Sequence, residues 1–115
     1  MPNIQIYYVK RSFDVQKAER FFKERRVPFQ AVDMRRHVPG KRELELFARA
    51  AGGMSALLDR ESTKVLSHPA AYMRDEAAIA EEIMEDPSLL RAPVVRNGQK
   101  VTIGVHEDIW AQWLT

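Results

Sequence analysis

The chain has 115 residues, no cysteine, 45% apolar and 30% charged side chains, and a formal net charge of +2. With no cysteine, thiol redox chemistry by its own side chains is excluded, while the length and composition suit a single globular domain spanning residues 1–115. No apolar run approaches the roughly 20 residues a membrane span needs, and the N-terminus lacks the basic-then-apolar pattern of a secretion signal, so a cytoplasmic protein is expected. Charge is uneven along the chain: residues 1–50 carry 12 Lys/Arg against 6 Asp/Glu, and residues 51–115 carry 6 against 10. That split suits either a polarised surface or one basic and one acidic solvated helix.

Asn3 to Val9 opens with period-two alternation and is rich in β-branched and aromatic residues, so it reads as a strand. Ser12 to Arg26 reads as a helix, with Ser12 as N-cap, Asp14 in the first turn, and Val15, Ala18, Phe21 and Phe22 on one apolar face. Pro28 closes that region, and Phe29 to Val32 reads as a second strand. After the turn at Pro39-Gly40, Lys41 to Ala51 reads as a helix stopped by Gly52-Gly53. A short helix is expected over Ser55 to Arg60, mixed signals follow from Glu61 to Tyr72, and Arg74 to Glu85 reads as an acidic helix ended by Asp86-Pro87. Pro93 to Val95 and Lys100 to Val105 read as strands joined by a turn at Asn97-Gly98. A last amphipathic helix carries Ile109, Trp110, Trp113 and Leu114.

A strand–helix–strand opening and a hairpin–helix close describe an α/β (α+β) thioredoxin-like, glutaredoxin-like fold. Its mixed four-stranded sheet would be flanked by helices and carry a helical insertion. The first two strands should be parallel and joined by a right-handed crossover, with the hairpin adding the antiparallel pair.

Three segments resemble the arsenate reductase (ArsC)/Spx family of thioredoxin-like proteins over nearly the whole chain. The first runs from Ile6-Tyr7-Tyr8 through Lys17-Ala18 to Val27-Pro28-Phe29. The second is Leu57-Leu58-Asp59-Arg60. The third is Leu89-Leu90-Arg91-Ala92-Pro93-Val94-Val95, followed by Gly98 and Val101-Thr102-Ile103-Gly104. Their order and spacing are more specific than any one match. The departures fall together: Ser12 stands at the family's reactive cysteine, Val15 at the second cysteine of redox-active members, Gln16 at a usual arginine, and Ala92 at the arginine before the proline that is cis in the family. The resemblance therefore implies fold rather than activity, a cysteine-less divergent member.

A serine lacks the acidified thiol that a helix N-terminus provides to a cysteine, and needs a neighbouring base to act as a nucleophile. Near Ser12 only Lys10 and Asp14 are close in sequence, so no catalytic residue is assigned and Ser12 is expected to be an N-cap. Lys10, Arg11, Ser12, Arg60 and Arg91 form a candidate anion- or ligand-binding set: the first two precede a helix N-terminus, and the last two match arginines that the resemblance implies. Asp14 would oppose an anion there, and the bulky Phe13 could plug the corner. Pro93 is the expected structural cis-proline. His37, His68 and His106 show no metal spacing, so no metal or cofactor is expected. Trp110 and Trp113 are read as core, and no nucleic-acid motif is present.

The reading that follows is a non-catalytic binding or regulatory module. Its partner would be a protein (RNA polymerase, by analogy with Spx) meeting the basic Lys17, Arg20, Lys23, Arg25 and Arg26 face, or else a small oxyanion. The alternative is an arsenate reductase-like or glutathione-dependent oxidoreductase that uses an external thiol, with the oxyanion held near Ser12.

Overall fold

Alternating side chains on the first strand set the architecture. The computed structural model describes residues 3–115. On β1 (Ile4–Tyr8), Ile4 and Ile6 face one layer of helices and Tyr7 faces the other. α1 (Phe13–Glu24) follows, and β2 (Phe29–Asp33) pairs parallel to β1 with Ile4 opposite Phe29. β3 (Val94–Asn97) runs antiparallel to β1, and β4 (Lys100–Ile103) antiparallel to β3. The sheet order is β2-β1-β3-β4, the mixed four-stranded sheet expected from the sequence.

Between β2 and β3 lies the helical insertion: α2 (Lys41–Ala51), a 3-10 turn (Ser55–Leu57), the short α3 (Thr63–Leu66), a second 3-10 turn (Pro69–Tyr72), α4 (Glu76–Glu85) and a third 3-10 turn (Pro87–Leu89). α5 (Glu107–Trp113) closes the described chain. The insertion packs on one face of the sheet, burying Leu44, Phe47, Leu57, Ile79 and Ile83 with Tyr7 and Val94. α1 and α5 cover the other face, where Phe21, Phe22 and Trp110 meet Ile4, Ile6 and Val95. Adjacent Val94 and Val95 thus serve opposite cores, as the two-residue period of a strand requires.

The caps explain where several elements begin and end. α2 keeps its expected bounds: the Gly40 N–H donates to Glu43 at 3.2 Å, and Gly52 ends the helix at φ 95°, a left-handed position suited to glycine. α1 is shorter than expected, because Arg26 leaves the helix at φ 56°. Its N–H donates to the Lys23 carbonyl, and that of Val27 to the Phe22 carbonyl, a Schellman ending with arginine where glycine is usual. α4 starts at Glu76 rather than Arg74, since the Asp75 side chain accepts from the Ala77 N–H at 3.0 Å.

The hairpin differs by one residue from the expected register. Asn97 pairs with Lys100, so the loop is Gly98-Gln99 rather than Asn97-Gly98. Gly98 at φ 62° followed by a residue with ordinary φ is the pattern of a type II′ turn. β4 stops at Ile103 because Gly104, at φ 88°, turns the chain away. The expected helix over Ser55 to Arg60 is only a 3-10 turn, after which Leu58 bridges to Leu90 in an extended conformation. No helix among the described residues is long and apolar enough to cross a membrane.

Candidate functional site

Three backbone hydrogen bonds build the candidate site. The Asp59 N–H donates to the Leu89 carbonyl at 2.9 Å, the Arg91 N–H to the Leu57 carbonyl at 2.8 Å, and the Gly104 N–H to the Pro93 carbonyl at 2.8 Å. Together they tie the insertion, the segment leading into β3 and the end of β4 around the cis Ala92-Pro93 bond. The result is a cleft of about 850 Å³ lined by Ser12 and Asp14 from the start of α1, Asp59, Arg60 and Glu61 from the insertion, Arg91 and Ala92, and Gly104 to His106.

Ser12 sits in this cleft as the N-cap of α1. Its Oγ accepts from the Val15 N–H at 3.3 Å, and its carbonyl accepts from the Gln16 N–H at 3.0 Å. No histidine or carboxylate is hydrogen-bonded to the hydroxyl among the described residues. Phe13 is 74% exposed and lies outside the lining, so it leaves the cleft open.

The two expected arginines converge with Ser12, but they differ in availability. The Arg60 guanidinium donates to the Ala71 carbonyl at 3.1 Å and to the Ser55 hydroxyl at 2.6 Å. Arg91 is exposed and has no side-chain hydrogen bond or ion pair among the described residues. Lys10 and Arg11 do not line the cleft. The Arg11 guanidinium instead lies 2.6 Å from a Glu19 carboxylate oxygen and 5.0 Å over the Tyr8 ring. Its hydrogen bond to Glu19 holds its proton more tightly than usual.

Sequence reasoning missed much of the lining. Asp59 and Glu61 join Asp14 on the cleft walls, and the Asp59 carboxylate accepts from the Glu61 N–H at 3.2 Å. The charged triplet Asp59-Arg60-Glu61 directly after Leu57-Leu58 was the available signal. Three acidic residues, Asp14, Asp59 and Glu61, thus line the cleft with Arg60 and Arg91, a mixed-charge lining rather than a cationic one. His106 also lines it, with Nε2 placed 2.9 Å from the Ile103 carbonyl. A carbonyl only accepts, so Nε2 is the donor in this contact.

Other chemistry-bearing residues lie elsewhere. Tyr7 donates to Glu43 at 3.0 Å on the far face of the sheet and is approached by Arg96 at 3.5 Å. Burial pushes its hydroxyl above the ordinary value of 10.0; Glu43 adds to the rise, and the Arg96 hydrogen bond opposes it. Trp110 is fully buried and donates to Thr102 at 2.8 Å, while Trp113 packs at the edge of the same core. Along α1, Lys17 approaches Glu107 at 3.8 Å, and Arg25 lies 3.7 Å over the Phe21 ring. Among the described residues no group of three or more His, Asp or Glu is placed to hold a metal ion.

Comparison with known proteins bears on this geometry. The profile of the ArsC family matches residues 7–113. No curated protein matches the sequence. Among solved structures, the YffB protein superposes with a TM-score of 0.84 at 22% identity, covering 98% of this chain and 100% of that one. An arsenate reductase (ArsC) related protein from Brucella melitensis gives 0.70 at 19% identity, with 98% and 95% covered. The arsenate reductase from Vibrio cholerae gives 0.78 at 14% identity, with 96% and 97% covered. At these identities the likeness speaks for the fold.

Proposed function

The chain belongs to the ArsC family, and we propose that within it this protein is a non-catalytic binding module that holds its ligand in the cleft beside Ser12 without reacting with it. The observation that carries this reading is the state of Ser12. Where the resemblance would place a cysteine, a hydroxyl is spent capping α1, and no hydrogen-bonded base is at hand to make it a nucleophile.

The lining also suggests what the ligand offers. Arg91 is free to pair with a carboxylate or oxyanion group, whereas the Arg60 guanidinium is engaged by Ser55 and Ala71. Asp14, Asp59 and Glu61 favour amino, amide or hydroxyl groups on the rest of the ligand. A bare oxyanion meets repulsion from these carboxylates, so a zwitterionic or peptide-like ligand suits the cleft better than arsenate or phosphate alone. Of the proposed ligand set, Ser12, Arg60 and Arg91 remain; Lys10 and Arg11 are set aside. A cytoplasmic protein of one domain fits this role.

Two measurements test it. In a glutathione- and glutaredoxin-coupled assay, arsenate should cause no NADPH oxidation. Turnover that disappears in Ser12→Ala would establish the oxidoreductase alternative and sink the proposal. By NMR titration, glycine-rich dipeptides with a free carboxylate should shift the amides around Arg91 and Ala92, and Arg91→Ala should abolish the response. Shifts that survive Arg91→Ala would remove the assigned role of that arginine.

A further inference from the structure

β2 is an outermost strand, with β1 on one side and no strand on the other among the described residues. At the opposite edge, β4 has α2 packed against it. The Met34 N–H donates to the Tyr8 carbonyl at 2.8 Å. Because strand backbone groups alternate sides, Gln30 and Val32 also address β1, and the N–H and C=O groups of Phe29 and Ala31 point outward. No turn or loop hydrogen bond takes those outward groups. Asp33 shares their direction, but its carbonyl already accepts from the Arg36 and His37 N–H groups. Gln30 and Ala31 are exposed, and the small Ala31 leaves the edge unobstructed.

The flanks of this edge are basic. Arg26 precedes it and Arg36 follows it; both are exposed and neither has an ion-pair partner among the described residues. Arg25 is turned back on Phe21, and Arg35 lies 3.5 Å from Asp33, the single acid on the strand. An uncovered strand edge is a template for another extended chain. A second copy of this protein fits poorly there: self-pairing of two β2 edges gathers the basic flanks of both copies, Arg26 and Arg36, at one interface, and like charges brought together are destabilising.

We propose that the free edge of β2 is a docking strand for an extended acidic segment of a partner protein. Main-chain hydrogen bonds to Phe29 and Ala31 hold the segment, and Arg26 and Arg36 select its charge. This surface is separate from the cleft around Ser12 and Arg91, and the inference stands whether or not the cleft binds a ligand.

The test uses the full chain and a capped peptide in which glutamate and valine alternate, followed by amide NMR and hydrogen exchange. The peptide should shift the β2 amides and slow exchange at Phe29 and Ala31. Arg26→Glu and Arg36→Glu should each weaken binding roughly tenfold at low salt, and added salt should weaken it further in the parent protein. Ala31→Pro removes an outward N–H that an edge strand can spare, and should keep the fold while losing the protection at Phe29. If that variant does not fold, the two charge reversals decide alone. The proposal is overturned by unchanged β2 amides at millimolar peptide, by an equal response to a lysine–valine peptide, by shifts confined to the Arg91 cleft, or by self-association through β2.

Discussion

Both carboxylate oxygens of Glu19 hold the Arg11 guanidinium, with Nη1 at 2.6 and 2.8 Å. Glu19 is only 7% exposed, so this pair sits at the edge of the α1 core rather than in open solvent. A carboxylate left there without its partner loses its main compensation for desolvation. Arg11→Ala should therefore lower the thermal midpoint clearly more than Lys17→Ala, whose partner Glu107 is 3.8 Å away with a side chain 42% exposed against 10% for Glu19. Adding Glu19→Gln to Arg11→Ala should recover part of the loss. Equal melting of Arg11→Ala and Lys17→Ala would show that the Arg11–Glu19 pair is merely a surface contact.

Arg26 occupies a left-handed position at φ 56° that a side chain bears at a cost. Glycine pays no steric penalty there, although it loses more freedom on folding. Arg26→Gly should raise stability by about 0.5–1 kcal/mol in urea unfolding, and the same change should weaken the acidic peptide at β2. A stabilised variant with undiminished peptide binding would separate the two roles and remove Arg26 from the docking edge.

Lys64 lies 2.8 Å from Asp86, joining α3 to the start of the third 3-10 turn. The Lys64 hydrogen bond, then that of Ser88, holds the Asp86 carboxyl below its ordinary 3.8. A carboxyl lowered on folding contributes stability that is present above its unfolded value and is lost as pH falls through the folded one. Acidification from neutral through the region below 3.8 should therefore erode stability. Asp86→Asn should flatten that part of the profile while lowering stability at neutral pH. Parallel profiles for parent and variant would mean that Asp86 contributes nothing to acid unfolding.

Much of this fold was legible because its signals were local. Lys41 to Ala51 carries its own start, periodicity and glycine stop, and α2 has those same bounds. The hairpin slipped by one residue because Asn97-Gly98 is a strong turn signal; pairing of Arg96 and Asn97 with β1 and β4 outweighed it. Ser12, Arg60 and Arg91 line one cleft, the two arginines having been picked out by the family resemblance rather than by any local pattern. Arg11 misled because its partner, Glu19, lies two turns along a helix that Arg11 itself precedes, a relationship no spacing rule reports. Asp59 and Glu61 were missed for the converse reason: their charged triplet stands out locally, but it is the Leu58–Leu90 bridge and its neighbouring hydrogen bonds that bring the loop to the cleft.

Trp110 is the largest fully buried side chain, and its indole N–H donates to the Thr102 hydroxyl at 2.8 Å across the layer between α5 and β4. Phe21 and Phe22 pack edge-on and tilted against it at 5.3 and 5.5 Å. Trp110→Phe keeps most of the aromatic contact but leaves the hydroxyl of the buried Thr102 without its donor. That orphaned group should cost about 1–3 kcal/mol, with a further loss from the space the smaller ring leaves. Thr102→Val alone should also destabilise, because it strands the indole N–H. Both partners become apolar in the double variant, so its loss should fall well short of the sum of the single losses. Strict additivity in urea unfolding would mean that the hydrogen bond holds nothing together and that Trp110 acts by volume alone.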